Sequence, residues 1–262
     1  IGSAKPSQDD RAICPHYIFD ELDPDEPFTA GDFSRMAGEC LLARESEGCP
    51  IAFVVGGSGF YLRALTKGMM DWPKADPLVR TKVLEDLKCL GIRKLYNELV
   101  ERDIEHSKKI HPNDEYRILR ALEILRSQPK TMTEIQNSFE PKRFKYDHIY
   151  IGFQKPREIL RERVRDRTQN MILAGWEIEV RNLMERGWTE TQAMNSVGYF
   201  EMKEFIAHRL TDRELPEKIV NSTMQLAKRQ TTWFKYQMPV EWHDADKSLN
   251  EAMKKVTGLL NK

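Results

Sequence analysis

A short apolar run that ends in three closely spaced glycines and then turns helical constrains this chain's fold more than any other stretch. Ile51 to Val55 (IAFVV) is apolar and β-branched at its end, the pattern of a strand buried on both faces. Gly56, Gly57 and Gly59 let the backbone turn sharply and leave its N–H groups unobstructed, and Ser58 adds a hydroxyl inside the turn. Tyr61 to Leu65 then opens a helix. Strand, glycine turn and helix N-terminus together form a receptive site for an anion such as phosphate. The same residues also make an ordinary tight turn in any parallel sheet.

At 262 residues the chain accommodates one large domain or two smaller ones, with a sizeable core. No run approaches the ~20 apolar residues that span a bilayer. The first residues, IGSAKPSQDD, lack the basic-then-apolar order of a signal peptide. Cys14, Cys40, Cys49 and Cys89 have neither CxxC spacing nor paired histidines, so reduced thiols in a cytosolic protein are expected rather than a zinc site. Net charge is zero but unevenly spread: residues 1–50 hold 4 Lys/Arg against 11 Asp/Glu. The compensating excess is dense from Lys142 to Arg167, through Arg143, Lys145, Lys155, Arg157, Arg161, Arg163 and Arg165. Such a stripe permits contact with nucleic-acid phosphates; a solvated helix face is its commoner meaning.

Along the chain, Tyr17-Ile18-Phe19 reads as a short strand. Thr29, with Asp32 three residues on, caps a helix carrying Phe33, Met36, Ala37, Cys40 and Leu41. Strand, helix and the Ile51 strand make a βα-type unit and argue for a parallel sheet. A proline-bearing loop (Asp71 to Pro77) leads to helices over about 78–90 and 93–102, and Pro112-Asn113-Asp114 starts another to about Leu125. Ile149 to Phe153 is a second buried-type strand. From Pro156 to about Phe234 the pattern is helical almost throughout, then Val240-Glu241-Trp242 and an amphipathic helix close the chain.

Several separated segments agree with one family. They are Ile1 to Pro6 (IGSAKP), Phe28 to Phe33 (FTAGDF), Val55 to Tyr61, and His111 to Asp114 with Arg117 and Arg120 to Glu123. Arg163, Arg167, Met171, Gly175, Glu179-Val180, Ser196 to Tyr199, and Lys228-Arg229-Gln230 with Thr232-Trp233-Phe234 follow in the family's order. On these residues the chain resembles the bacterial-type tRNA dimethylallyltransferases (tRNA isopentenyltransferases). The resemblance implies an α/β fold: a P-loop NTPase-like parallel sheet core with a mostly α-helical insertion domain. We expect the core over 1–160, a tRNA-binding helical insertion over 161–224, and a return to the core over 225–262. It further implies transfer of a dimethylallyl group from dimethylallyl diphosphate to N6 of the adenosine next to the anticodon, with Mg²⁺, by a cytoplasmic monomer that binds the tRNA anticodon stem-loop.

Carried over residue by residue, Ser58 is a hydroxyl at the mouth of the reaction channel, in place of the family's usual threonine. Gly56, Gly57, Arg163 and Arg167 face the diphosphate. Arg80, Tyr116, Arg117, Arg120, Gly198, Tyr199, Lys228, Arg229, Gln230, Trp233 and Lys235 face tRNA. Each has a plainer meaning: a turn serine, surface arginines, ion pairs of Arg117 and Arg120 with Glu115 or Glu123, a core tryptophan. Phe200 stands where the family usually has a basic residue. The family's phosphate loop and its D-S motif, whose aspartate is the general base, lie before residue 1. The chain is therefore expected to be N-terminally truncated and, alone, inactive or nearly so. Two other enzymes stay open, an adenylate isopentenyltransferase and a nucleoside or nucleotide kinase, as does a tRNA-binding remnant without catalysis.

Overall fold

In the computed structural model, residues 1–70, 76–141 and 144–260 are described; residues 71–75 of the proline-bearing loop, and Lys142 and Arg143 of the basic stripe, lie outside them. Helix α1 (Gln8–Ile13) is capped by Ser7. Helix α2 (Ala30–Ser46) begins as expected at Thr29. The Thr29 hydroxyl accepts the Asp32 N–H while the Asp32 carboxylate accepts the Thr29 N–H, so two donors that a helix start leaves unpaired are satisfied reciprocally. Helix α3 (Gly59–Lys67) follows the glycine turn. Then come α4 (Pro77–Leu90), α5 (Ile92–Arg102), α6 (Ile104–Ser107), α7 (Glu115–Ser127) and α8 (Met132–Asn137). Strand β1 (Tyr150–Gln154) precedes α9 (Arg157–Leu173), α10 (Trp176–Glu185), a short 3₁₀ turn at Ala193–Asn195, α11 (Tyr199–Ile206) and α12 (Glu214–Gln237). Strand β2 (Val240–Asp244) and α13 (Leu249–Leu260) end the chain.

Among the described residues the sheet has two strands, paired parallel in register from Tyr150 opposite Val240 to Gln154 opposite Asp244. A parallel pair requires a long crossover, and here it is the four helices α9 to α12. Two expected strands are absent. Ile51 to Val55 is irregular, with Phe53 67% and Val55 92% exposed. A strand is completed by its neighbours' hydrogen bonds, and among the described residues no strand pairs with this segment. Tyr17 to Phe19 is likewise bent, with Ile18 and Asp20 at φ 63° and 61°, a left-handed conformation that breaks a strand. The β1 strand is where the sequence placed it but is half-buried rather than buried.

Two compact units are present, one of Ile1–Thr66 with Phe144–Lys262, the other of Lys67–Arg143. The division differs from the expected one: the helices over 161–224 belong with the N-terminal residues, and the self-contained helical unit comes earlier. The reason is hydrophobic. The Lys67–Arg143 unit has its own core, in which Val83, Leu95, Leu99, Ile118, Leu122 and Met132 from four helices are buried together. Arg126 ties that unit's helices by accepting no compromise in charge pairing: it bonds Asp86 of α4 at 2.6 Å and Glu98 of α5 at 2.9 Å. A second cluster, Trp176, Val180, Met194, Met202, Leu215 and Ile219, packs α10 to α12 in the other unit.

Candidate functional site

In the larger unit, the glycine turn meets α12. The α3 helix that follows the turn is fixed from α2: Tyr61 stacks on Phe33 at 5.2 Å between ring centres and meets Phe28 edge-on at 6.0 Å. Ser34 donates to the Ala64 carbonyl at 3.1 Å. Across the turn, a β-carbon on Gly57 would overlap the Gln230 amide, and one on Gly59 would overlap the Trp233 ring. At Gly59 close approach rather than dihedral angle calls for glycine, since the ring is rigid, whereas at Gly57 the obstruction is the far end of a flexible side chain. The Leu62 N–H bonds the Ser58 carbonyl at 3.2 Å, closing the first helical turn, and the Ser58 residue itself is exposed. Two segments singled out separately, GGSG and KRQTTW, thus form one place.

The α12 face beside that turn carries an open cleft of about 560 Å³, lined by Gln225, Lys228, Arg229, Thr232, Trp233, Tyr236 and Gln237. Lys228, Arg229 and Lys235 are exposed, and none of them forms an ion pair among the described residues. Trp233 is half-buried against Gly59, and its ring meets Phe234 edge-on.

The basic stripe is different. Lys145 pairs with Glu45, Arg161 and Arg165 both pair with Glu217, and Lys155 and Arg163 converge on Asp246. Arg163 reaches both Asp246 oxygens, at 3.1 and 3.0 Å. Lys155 and then Arg163 hold the Asp246 carboxyl below the usual carboxylate range. Arg167, one turn further along α9, is exposed and carries no ion pair among the described residues. Of the two arginines assigned to the diphosphate, one is therefore held by a carboxylate and the other is open.

Gly198 and Tyr199 stand at the start of α11, where a β-carbon on Gly198 would enter the Trp176 ring. The Tyr199 hydroxyl donates to Glu179 at 2.6 Å, and Glu179 also accepts the Gly2 N–H at 3.1 Å. Burial first, and then the Glu179 charge, push the Tyr199 phenol well up. The IGSAKP and SVGY segments meet here, on α10, through internal bonds. Phe200, which replaces the family's basic residue, is exposed.

In the Lys67–Arg143 unit, Arg80 from α4 and Arg120 from α7 share one carboxylate, Glu123, which is 7% exposed. Arg120 lies 3.0 Å and Arg80 3.7 Å from it. Arg117 pairs with Asp114, the N-cap of α7, and Tyr116 is 79% exposed. Sequence spacing already linked Arg120 to Glu123 at i, i+3. Nothing in the sequence pointed to Arg80 on the same oxygen pair, or to Asp246 as the partner of Arg163. Among the described residues no group of three or more His, Cys, Asp or Glu side chains is placed to hold a metal ion, and no helix is long and apolar enough to cross a membrane.

A family model described as IPP transferase matches residues 1–237. The tRNA dimethylallyltransferase of Bdellovibrio bacteriovorus is 39% identical over 247 residues, 93% of this chain and 80% of that protein. That of Desulfatibacillum aliphaticivorans is 36% identical over 262 residues, 99% of this chain and 84% of that protein. Among solved structures, the tRNA isopentenylpyrophosphate transferase of Bacillus halodurans has a TM-score of 0.68 at 27% identity, over 99% of this chain and 83% of that one. A eukaryotic dimethylallyltransferase described as acting on tRNA has a TM-score of 0.78 at 23% identity, over 97% and 67%, a likeness of fold. The expected class, an α/β core of the P-loop NTPase type joined to helices, is that of these neighbours.

Proposed function

The chain belongs to the IPP transferase family, and from that premise we propose that it transfers a dimethylallyl group from dimethylallyl diphosphate to N6 of the adenosine next to the anticodon in tRNA. The observation that carries the reading is the junction of the glycine turn with α12. It sets the exposed Gly56–Ser58 segment and Gly59 against Gln230 and Trp233 of α12, the helix whose cleft carries aromatic rings and cations that form no ion pair among the described residues. In the reaction the adenine amine attacks the allylic carbon and the carbon–oxygen bond to diphosphate breaks, so negative charge grows on the leaving group. Preorganised donors aimed at that charge lower the barrier. The Gly56-Gly57 backbone, Ser58 and the open Arg167 are the donors we assign to it. Lys228 and Arg229 hold tRNA phosphates, and Arg80, Tyr116, Arg117 and Arg120 form a further tRNA contact within the Lys67–Arg143 unit. An adenine must leave the anticodon-loop stack to react, so recognition is of a splayed loop rather than a duplex.

Mg²⁺ enters this reading as a companion of the diphosphate, since Mg²⁺ is ordinarily held by substrate phosphates and few carboxylates. The described residues hold no group of three or more His, Cys, Asp or Glu side chains placed to cage it. The protein acts in this reading as a cytoplasmic monomer.

Deleting the gene from its host tests the proposal. Prenylated adenosine should vanish from hydrolysates of total tRNA and return when the gene is restored, but not when it is restored with Gly57→Glu. Unchanged prenylated adenosine in the deletion strain would overturn the assignment.

A further inference from the structure

The α12 cleft carries a second aromatic side chain beyond Trp233. Tyr236 is 73% exposed and lines the cleft together with Lys228, Arg229, Thr232 and Trp233. Residues 228, 232 and 236 lie in one i, i+4 row, and 229 and 233 in the adjacent row. Along these rows chemistry is segregated. Cations stand at the N-terminal end, a hydroxyl in the middle and rings at the C-terminal end, about 6 Å from position 229 to position 233 at 1.5 Å per residue. The reach suits a nucleotide whose phosphate rests on the cations and whose base lies toward the rings.

The two rings are not equally free. Trp233 is committed inward, with its six-membered ring filling the space over Gly59 and Phe234 at its edge. Tyr236 has no packing partner of that kind. Its hydroxyl makes no hydrogen bond among the described residues, and its one ring contact is the Lys235 ammonium, 5.9 Å from the ring centre. A single exposed aromatic is ordinary on a protein surface. This one differs in its company: three cations without carboxylate partners among the described residues, and an open cleft of nucleotide size.

We infer that Tyr236 is the stacking platform of the cleft, the side chain on which an unpaired base of the anticodon loop lies, while Trp233 shapes the glycine turn. Single-stranded RNA is the occupant that the charge and the rings together fit, because every base offers a π-face and every nucleotide a phosphate. The inference rests on the tRNA reading of this site, and its test separates the two.

The test is binding of an anticodon stem-loop carrying 2-aminopurine at single loop positions, with affinity and fluorescence quenching measured for the protein and for Tyr236→Phe, Tyr236→Leu and Tyr236→Ala. Stacking predicts that Phe keeps affinity and quenching. Ala should lose roughly five- to a hundredfold in affinity, together with the quenching at one loop position. Leu should resemble Ala. Because the ring is exposed, thermal stability should be the same in all four proteins. The salt dependence of binding should not change in Tyr236→Ala, since no phosphate contact is removed. Wild-type affinity in Tyr236→Ala, or full rescue by Leu, would overturn the stacking role while leaving the RNA reading intact. Failure of the unsubstituted protein to bind the stem-loop better than a plain duplex would overturn both.

Discussion

Two glycines in the same turn answer to different neighbours, and substitution should separate them. A methyl at position 57 meets the amide end of Gln230, a flexible side chain that swings aside at little cost. A methyl at position 59 meets the ring of Trp233, which is rigid and anchored. Gly57→Ala should therefore leave thermal stability nearly unchanged yet weaken prenyl transfer, because Gln230 leaves its place at the turn. Gly59→Ala should lower stability by about 1–3 kcal/mol, the usual cost of overpacking, although alanine in an unobstructed helix would have been favourable. Denaturant unfolding and tRNA prenylation, measured on both, check this; equal stability losses would refute the distinction. The glycines themselves were legible in the sequence, since close spacing after an apolar run marks a turn. Their partners were not, because Gln230 and Trp233 lie more than 170 residues away and no local period connects them. The same holds for Asp246, which holds Arg163 from across the β1–β2 crossover.

At the level of elements, the helices were readable because their signals are local. Thr29 and Asp32 cap α2, Asp76 caps α4, Asp114 caps α7, and apolar spacing marks the buried faces. The Ile51 strand was misread for the converse reason: its composition is that of a strand, but a strand exists only where a neighbour supplies hydrogen bonds. The α5–α6–α8 junction yields a prediction that no period reveals. Asp103 accepts the Thr133 N–H at 2.8 Å, the Thr133 hydroxyl at 2.5 Å and the His106 N–H at 3.1 Å. His106 is 8% exposed, with Nδ1 3.2 Å from the Gln136 amide. Burial lowers the His106 pKa from its ordinary 6.5; Asp103 opposes that shift, and Lys109 adds to it. The unfolded chain thus binds a proton that the folded one refuses, so stability is full above about pH 6.5 and falls as pH drops below it. Asp103 contributes separately. Burial alone would raise its carboxyl, but the Thr133 and His106 bonds hold it below 3.8, so its share is lost only in stronger acid. The protection of amides across residues 92–137, taken relative to intrinsic exchange at each pH, should fall between pH 6.5 and 5. His106→Gln should remove that fall; its persistence would assign the effect elsewhere.

For the whole molecule, a net charge of zero conceals which cations are available to RNA. Counting residues directs attention to the stripe before Arg167. The structure ties five of its members to carboxylates: Lys145, Lys155, Arg161, Arg163 and Arg165. The cations of α12 have no such partners among the described residues, although they are fewer and less conspicuous in the sequence. Pairing is decided by carboxylates remote in sequence, such as Glu217 and Asp246, which is why charge density along the chain was a poor guide to the interface. Affinity for RNA depends on salt because each phosphate contact releases counterions, with a slope of about −0.7 per contact for single strands. A cation already neutralised inside the protein adds little to that slope. Stem-loop affinity, measured from low to physiological salt, should therefore lose close to one contact's worth of slope in Lys228→Ala and again in Arg229→Ala. Arg161→Ala should leave the slope as it was, since that guanidinium is occupied by Glu217 and Asn221. If instead Arg161→Ala flattened the slope and Lys228→Ala did not, the stripe on α9 would be the RNA-facing surface and the assignment to α12 would fall.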